Sequence, residues 1–194
     1  MRENEKLVKN LRKGRTTFLD YFMQFFSALV YSEVLIFVMF LSYFGCKDKL
    51  FGLSVLAQIS IGLFINSVSK LIYAQGRPFY LFASIDRIGK CERDLGHPSG
   101  HAMMGLVAII LFIDWFLHER EVAQKYRMEI DNSRMNQMQQ TSSNKNLAIF
   151  LYVFGSMVIF TIGLSRVYLG AHSFEQVLSG WAYGLLFIIC YFTF

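Results

Sequence analysis

Five stretches of this chain are too apolar and too long for helices of a water-soluble protein. A hydrocarbon core about 30 Å thick takes about 20 predominantly apolar residues to cross, at about 1.5 Å of rise per residue. Residues 18–44, 50–73, 98–117, 147–164 and 173–194 reach or approach that length. No water is available there for backbone polar groups, so each stretch must be a helix that satisfies its own N–H and C=O groups. The pattern predicts an all-α integral membrane protein. About five transmembrane helices form one bundle, and residues 1–194 form a single membrane-embedded domain.

The polar remainder sorts by side. Residues 1–16 are a basic arm with Arg2, Lys6, Lys9, Arg12, Lys13 and Arg15, which hold much of the net charge of +5. Such an arm reads as a juxtamembrane segment near anionic headgroups, and nucleic acid is not an expected partner. Residues 118–146 are rich in charge, Gln, Asn and Ser without apolar periodicity, and read as a flexible polar linker with frayed helix at its start. Five crossings place loop 75–97 and the turn at 165–172 on the face that holds the arm. Cys46 and Cys91 then fall on opposite faces and cannot pair, and no disulfide framework is expected. Glu33 lies within the first span, where a carboxylate must face protein or water. A structural hydrogen bond to a neighbouring helix is its simplest use.

Three stretches on the shared face carry the chemistry. The first is Gly96-His97-Pro98-Ser99-Gly100-His101. Pro98 is placed to open a helix at N1. Ser99 and the bare amide of Gly100 then stand at the positive end of that helix, an anion site. The second stretch runs from Lys70 to Arg77-Pro78, and the third from Ser165-Arg166 to His172. A transferring phosphoryl group spreads charge over three oxygens, so it is stabilised mainly by positioned cations. Lys70, Arg77 and Arg166 supply them, with forked guanidinium contacts from the arginines. The cations leave no need for a metal or cofactor. Two histidines divide the remaining work: one attacks phosphorus, and the other protonates the leaving oxygen. A zinc pair at His97 and His101 is the weaker alternative, since no third ligand accompanies it there. His97 reads as a local loop contact. Tyr168 reads as an interfacial anchor, and Ala102, Gly105, Gly180 and Gly184 as close-packing positions.

Lys-x6-Arg-Pro, Pro-Ser-Gly-His and Ser-Arg-x5-His, in this order, resemble the three signature motifs of the type-2 phosphatidic-acid phosphatase superfamily. That superfamily includes lipid phosphate phosphatases, polyisoprenyl diphosphatases, glucose-6-phosphatase and vanadium haloperoxidases. The resemblance covers Lys70 to Gly184. It implies a membrane-bound phosphatase acting on a phosphate ester or diphosphate through a phosphohistidine. His172 would be the nucleophile, His101 the general acid, and Lys70, Arg77, Ser99, Gly100 and Arg166 the phosphate ligands. One position departs from the pattern. The aspartate expected four residues after the nucleophile is Gln176, with Glu175 beside it, and the two are expected to orient His172 from one helical face. Glutamine there resembles glucose-6-phosphatase-like and dolichyl-diphosphatase-like members, and Gly76-Arg77-Pro78 before an aromatic resembles glucose-6-phosphatase. They imply the endoplasmic reticulum membrane and a sugar-phosphate, lipid-phosphate or polyisoprenyl substrate. Those relatives have more spans, so this chain is either a compact relative or part of a longer one. The rival reading is a catalytically weak membrane protein that binds a phosphorylated lipid or sugar.

Overall fold

The computed structural model describes residues 2–89, 94–131 and 137–193, with side chains described at 5–126 and 145–193 within those ranges. The chain is helical throughout its long elements: α1 (Arg2–Leu11), α2 (Thr17–Ala28), α3 (Ser32–Gly45), α4 (Lys49–Tyr73), the short α5 (Pro78–Leu81), α6 (Gly100–Asp131), α7 (Gln137–Tyr168) and α8 (Phe174–Thr193). Among the described residues, α4, α6, α7 and α8 are each long and apolar enough to cross a membrane. The pair α2 and α3, bent by 46°, makes a fifth span when taken together. The protein is a multi-pass membrane protein.

α6 is the centre of the bundle and packs against α8, α7 and α4. Val55, Ile59, Met104, Val107, Leu111, Ile162 and Ile188 fill the space between these helices. The outward surface is as apolar as the inside, with Phe25, Phe37, Leu71, Phe150 and Phe192 all exposed. In lipid this is no penalty. Helix association then rests on close packing between small residues rather than on hiding apolar area. α8 shows it: a Cβ added at Gly180 would lie 2.6 Å from Ser99 O, and at Gly184 3.0 Å from Met103 O. No side chain fits at the first, so α8 lies directly on the first turns of α6.

Three expectations are corrected. The first span is broken rather than continuous. α2 ends at Leu29, and Tyr31 restarts the helix from an extended conformation. The two halves follow different neighbours, α2 lying along α7 and α3 along α4, so the chain must turn between them. Glu33 stands in the first turn of α3, where a helix N-terminus favours negative charge. Second, the polar segment 118–146 is largely helical, since α6 continues to Asp131 and α7 begins at Gln137. Glu, Gln, Lys, Arg, Met and Ala are good helix formers, and they extend an existing helix without any apolar stripe. Third, the basic arm does more than lie near headgroups. Leu7, Val8 and Leu11 make an apolar face on α1, and Val8 is buried with Ile85, Val167 and Val177. Arg12 donates through Nε to Tyr168 O at 2.9 Å. Tyr168 is itself buried rather than interfacial, its hydroxyl donating to Asp20 Oδ1 at 2.7 Å. Cys46 and Cys190 are free thiols, and Cys91 lies outside the described residues.

Candidate active site

The end of α4 sets the first cation. Ala74 closes that helix in the left-handed conformation at φ 47°, its N–H bonded to Lys70 O. Lys70 therefore sits in the last turn, at the negative end of the helix dipole. The chain then crosses to Arg77, 1% exposed, which precedes Pro78 at the start of α5. Its guanidinium fans across two loops. Nε donates to Asp94 O at 2.9 Å, and Nη1 to Ala171 O at 3.3 Å and His172 Nε2 at 3.0 Å. Nη2 pairs with the Asp94 carboxylate, whose other oxygen pairs with Lys70 Nζ. Asp94 thus bridges two of the three cations. Burial alone would raise its pKa, but Lys70 and Arg77 hold it below the ordinary value of 3.8.

His172, 1% exposed, lies in the turn between α7 and α8. Nδ1 is 2.8 Å from Gly96 O, and Nε2 faces Arg77. A carbonyl only accepts and a guanidinium only donates. The ring is therefore the Nδ1–H tautomer, with the Nε2 lone pair turned toward the cations. Burial, then Arg166 and Arg77, then His101 and Lys70, keep its pKa well below 6.5. These groups form one electrostatic cluster around a neutral imidazole.

The partner of Nδ1 corrects an expectation. The Gln176 side chain makes its hydrogen bonds away from the His172 ring. Its Oε1 accepts from Ser173 N at 3.2 Å, and its Nε2 donates to Gly76 O at 3.1 Å, fastening the loop of Arg77 to the start of α8. Glu175 is exposed. The acceptor that faces His172 Nδ1 is the Gly96 carbonyl. A backbone atom leaves no residue type to read, though Gly96 has a reason to lack a side chain: an added Cβ would lie 2.8 Å from Gln176 Nε2.

The start of α6 differs by two residues from the sequence expectation. The helix begins at Gly100, because the Ser99 hydroxyl takes the N-cap and accepts from Ala102 N at 3.5 Å. Pro98 then lies outside the helix rather than at N1. Ser99 N donates to Gln176 O at 2.9 Å, tying this turn to α8. Gly100 presses on α4, where a Cβ would meet Asn66 Nδ2 at 2.8 Å. His101 follows, with the Tyr31 ring edge-on at 5.5 Å and 88°. Gly100 and His101 open into a cavity of about 400 Å³ shared with Lys70, Asp94, Asn66 and Glu33. Arg166 is buried and donates through Nη1 to Ser27 Oγ of α2 at 2.5 Å. His97 stays local: its ring packs against Tyr73 at 4.4 Å, and Nδ1 is 3.5 Å from Ser179 Oγ.

Lys70, Arg77 and His172 thus share one bonded network, and His101 and Gly100 line the cavity beside it. Sequence reading missed Asp94, Ser27 and Tyr31. Charge balance could have found Asp94, since three cations gathered at one pole need a carboxylate. Ser27 and Tyr31 belong to the bent span and carry no motif.

A solved structure shares this fold. The crystal structure of a transmembrane PAP2-type phosphatidylglycerolphosphate phosphatase from Bacillus subtilis superposes with a TM-score of 0.76 at 20% identity, covering 97% of this chain and 82% of that one. Among curated proteins no sequence relative matches. The model of the PAP2 superfamily matches residues 51–194, the part of the chain that supplies Lys70, Arg77, His101, Arg166 and His172. The chain therefore belongs to the PAP2 superfamily.

Proposed function

We propose that this protein is a membrane phosphatase that hydrolyses a lipid phosphate ester or diphosphate through a phosphohistidine on His172. One observation carries the reading: a neutral imidazole, fixed as the Nδ1–H tautomer by Gly96 O, presents Nε2 to the guanidinium of Arg77. In the first step Nε2 attacks phosphorus and the bond to the leaving oxygen breaks. His101 gives that oxygen its proton. In the second step His101 takes a proton from water, whose oxygen attacks phosphorus and releases His172. Lys70, Arg77 and Arg166 carry the charge on the equatorial oxygens, so no metal or cofactor is required. The Gly100 amide, with Ser99 capping the same turn, adds the field of a helix N-terminus. Asp94 holds Lys70 and Arg77 where phosphate oxygens would be bound, so substrate must displace its carboxylate.

The lipid reading rests on the cavity walls. Val30, Leu35, Leu63 and Met104 share it with Lys70 and His101, a surface suited to a phosphate joined directly to apolar substance. The structural relative is named as a phosphatidylglycerolphosphate phosphatase, which agrees in chemical class. The glucose-6-phosphatase-like cast of the motifs supports a finer reading, an endoplasmic reticulum protein with a lumenal site, and protease access to the arm in sealed microsomes tests it. The binding-only alternative leaned on the missing acid at Gln176; the contact of His172 Nδ1 with Gly96 O supports the catalytic reading over it. The test is phosphate release by purified protein in micelles from a lipid phosphate monoester, a polyisoprenyl diphosphate and a sugar phosphate. The lipid monoester should be fastest and His172→Ala inactive on all three. Equal release by His172→Ala would overturn the mechanism.

A further inference from the structure

The pole of the bundle opposite His172 holds a second group of chemistry-bearing side chains. Cys46 follows α3, Asp48 caps α4, and His118 and Glu119 stand side by side on α6. Cys46 is 2% exposed, and its Sγ lies 2.8 Å from Glu119 Oε1. The same carboxylate oxygen accepts from Lys47 N at 2.7 Å. The His118 ring lies flat on Phe51, with centroids 4.0 Å apart and planes 9° apart, which fixes its orientation. Its Nε2 is 4.0 Å from Asp48 Oδ2, while its Nδ1 is buried without a hydrogen-bond partner among the described residues. One ligand atom from each of Cys46, His118 and Glu119 lies within 4.8 Å of the others.

We propose that Cys46, His118 and Glu119 bind one divalent transition-metal ion of the zinc type, with Asp48 steadying the imidazole. A thiol is only a weak donor, and close approach to a carboxylate gains little from it alone. An ion between them satisfies sulfur and oxygen together and takes one imidazole nitrogen of His118 as a further ligand. Mixed sulfur, nitrogen and oxygen donors suit zinc, whereas calcium and magnesium take oxygen sets. Zinc bonds of about 2.0–2.3 Å place ligand atoms roughly 3.3–3.8 Å apart. The group therefore forms a site by contracting about an ångström at its widest. A carboxylate beside a metal-bound histidine is a common support. The bound ion would staple the α3–α4 turn to α6 and take no part in phosphate chemistry at the other pole.

The experiment uses the full chain, purified in detergent without a metal-binding tag and titrated with zinc or cobalt alone. Wild type should retain about one zinc per chain after desalting, and its cobalt form should show thiolate-to-cobalt charge-transfer absorption. Cys46→Ser and Glu119→Gln should each weaken binding by more than the 10–100-fold that loss of a supporting residue costs. Asp48→Asn keeps the helix cap and should fall within that range. Cys190→Ser should bind as wild type, and turnover should be unchanged in all four. Wild type that retains no zinc, or a cobalt form without the thiolate band, overturns the proposal even if a variant fails to fold. Unchanged binding in Cys46→Ser overturns it as well.

Discussion

α6 carries a polar cluster at each end, and the two have opposite electrical appetites. At Gly100–His101 it meets Lys70, Arg77 and Arg166, with Asp94 as the carboxylate between two of them. At His118–Glu119 it meets a thiol and a second carboxylate. The first pole gathers donors and positive charge around a histidine, a set that suits an anion. The second gathers lone pairs, a set that suits a cation. Both stand where a helix leaves the apolar layer, so position in the membrane decides neither. The difference lies in which side chains the loops return to α6.

The largest expected effects break the first pole alone. Loss of one preorganised donor to a transition-state oxyanion costs about 10²–10³ in kcat. Arg77→Ala should fall beyond that range, because Arg77 also holds His172 and Asp94. Arg166→Ala should fall within it, and His172→Ala should abolish both turnover and the acid-labile, base-stable phosphate label. Membrane insertion measured beside turnover separates chemistry from misfolding, and near-normal turnover in either arginine variant removes it from the pocket. Next come the residues around His172. Gln176→Asp deletes the donor to Gly76 O and should cost about 1–3 kcal/mol of stability along with activity. Glu175→Gln, on an exposed side chain, should leave turnover as it was. A faster Gln176→Asp enzyme would restore a side-chain carboxylate as the orienting group.

The pH dependence follows from the same burial. His172 takes its proton only well below 6.5, so the acid limb of kcat/KM should lie below that value. The sign for stability is the same for both shifted groups of this pole. As pH falls below 6.5 the unfolded chain protonates at His172 before the folded one does, and below 3.8 the same holds for Asp94, so folding weakens on acidification. A stability maximum on the acid side would contradict this. Asp94→Asn sharpens the picture further. It frees Lys70 and Arg77 from a competing carboxylate and should tighten inhibition by inorganic phosphate or vanadate by about tenfold, roughly 1.4 kcal/mol. Unaltered inhibition would mean that Asp94 does not compete. The smallest effect divides the two poles: a chelator should leave turnover intact while lowering the melting temperature by a few degrees. Loss of activity on chelation, restored by zinc, would move the metal into the chemistry.

The two poles also differ in how far they could be read from sequence. Lys70, Arg77, His101, Arg166 and His172 stand in short runs whose spacing states their chemistry, and the apolar lengths fixed which face they share. Gly96 O escaped because the partner of His172 Nδ1 is a backbone atom, and Asp94 because a single acid in a loop has no period. The bend at Leu29–Tyr31 was hidden by uniform apolarity: it comes from α2 and α3 following different helices, a tertiary cause. Cys46, His118 and Glu119 were out of reach for a similar reason. The segment after Leu117 lacks an apolar stripe, and its helix continues through polar residues of good propensity.

That bend has a consequence for how such a protein can change. The matched core begins at residue 51, yet Val30, Tyr31, Ser32, Glu33 and Leu35 form one side of the cavity and Ser27 holds Arg166. That side of the cavity and the side chains Lys70, Arg77, His101, Arg166 and His172 therefore come from separate stretches of the chain. Substitutions at Val30, Tyr31 or Leu35 can reshape that wall while leaving the Ser27 contact to Arg166 in place. A chimera that exchanges only the first fifty residues should carry its donor's preference with it.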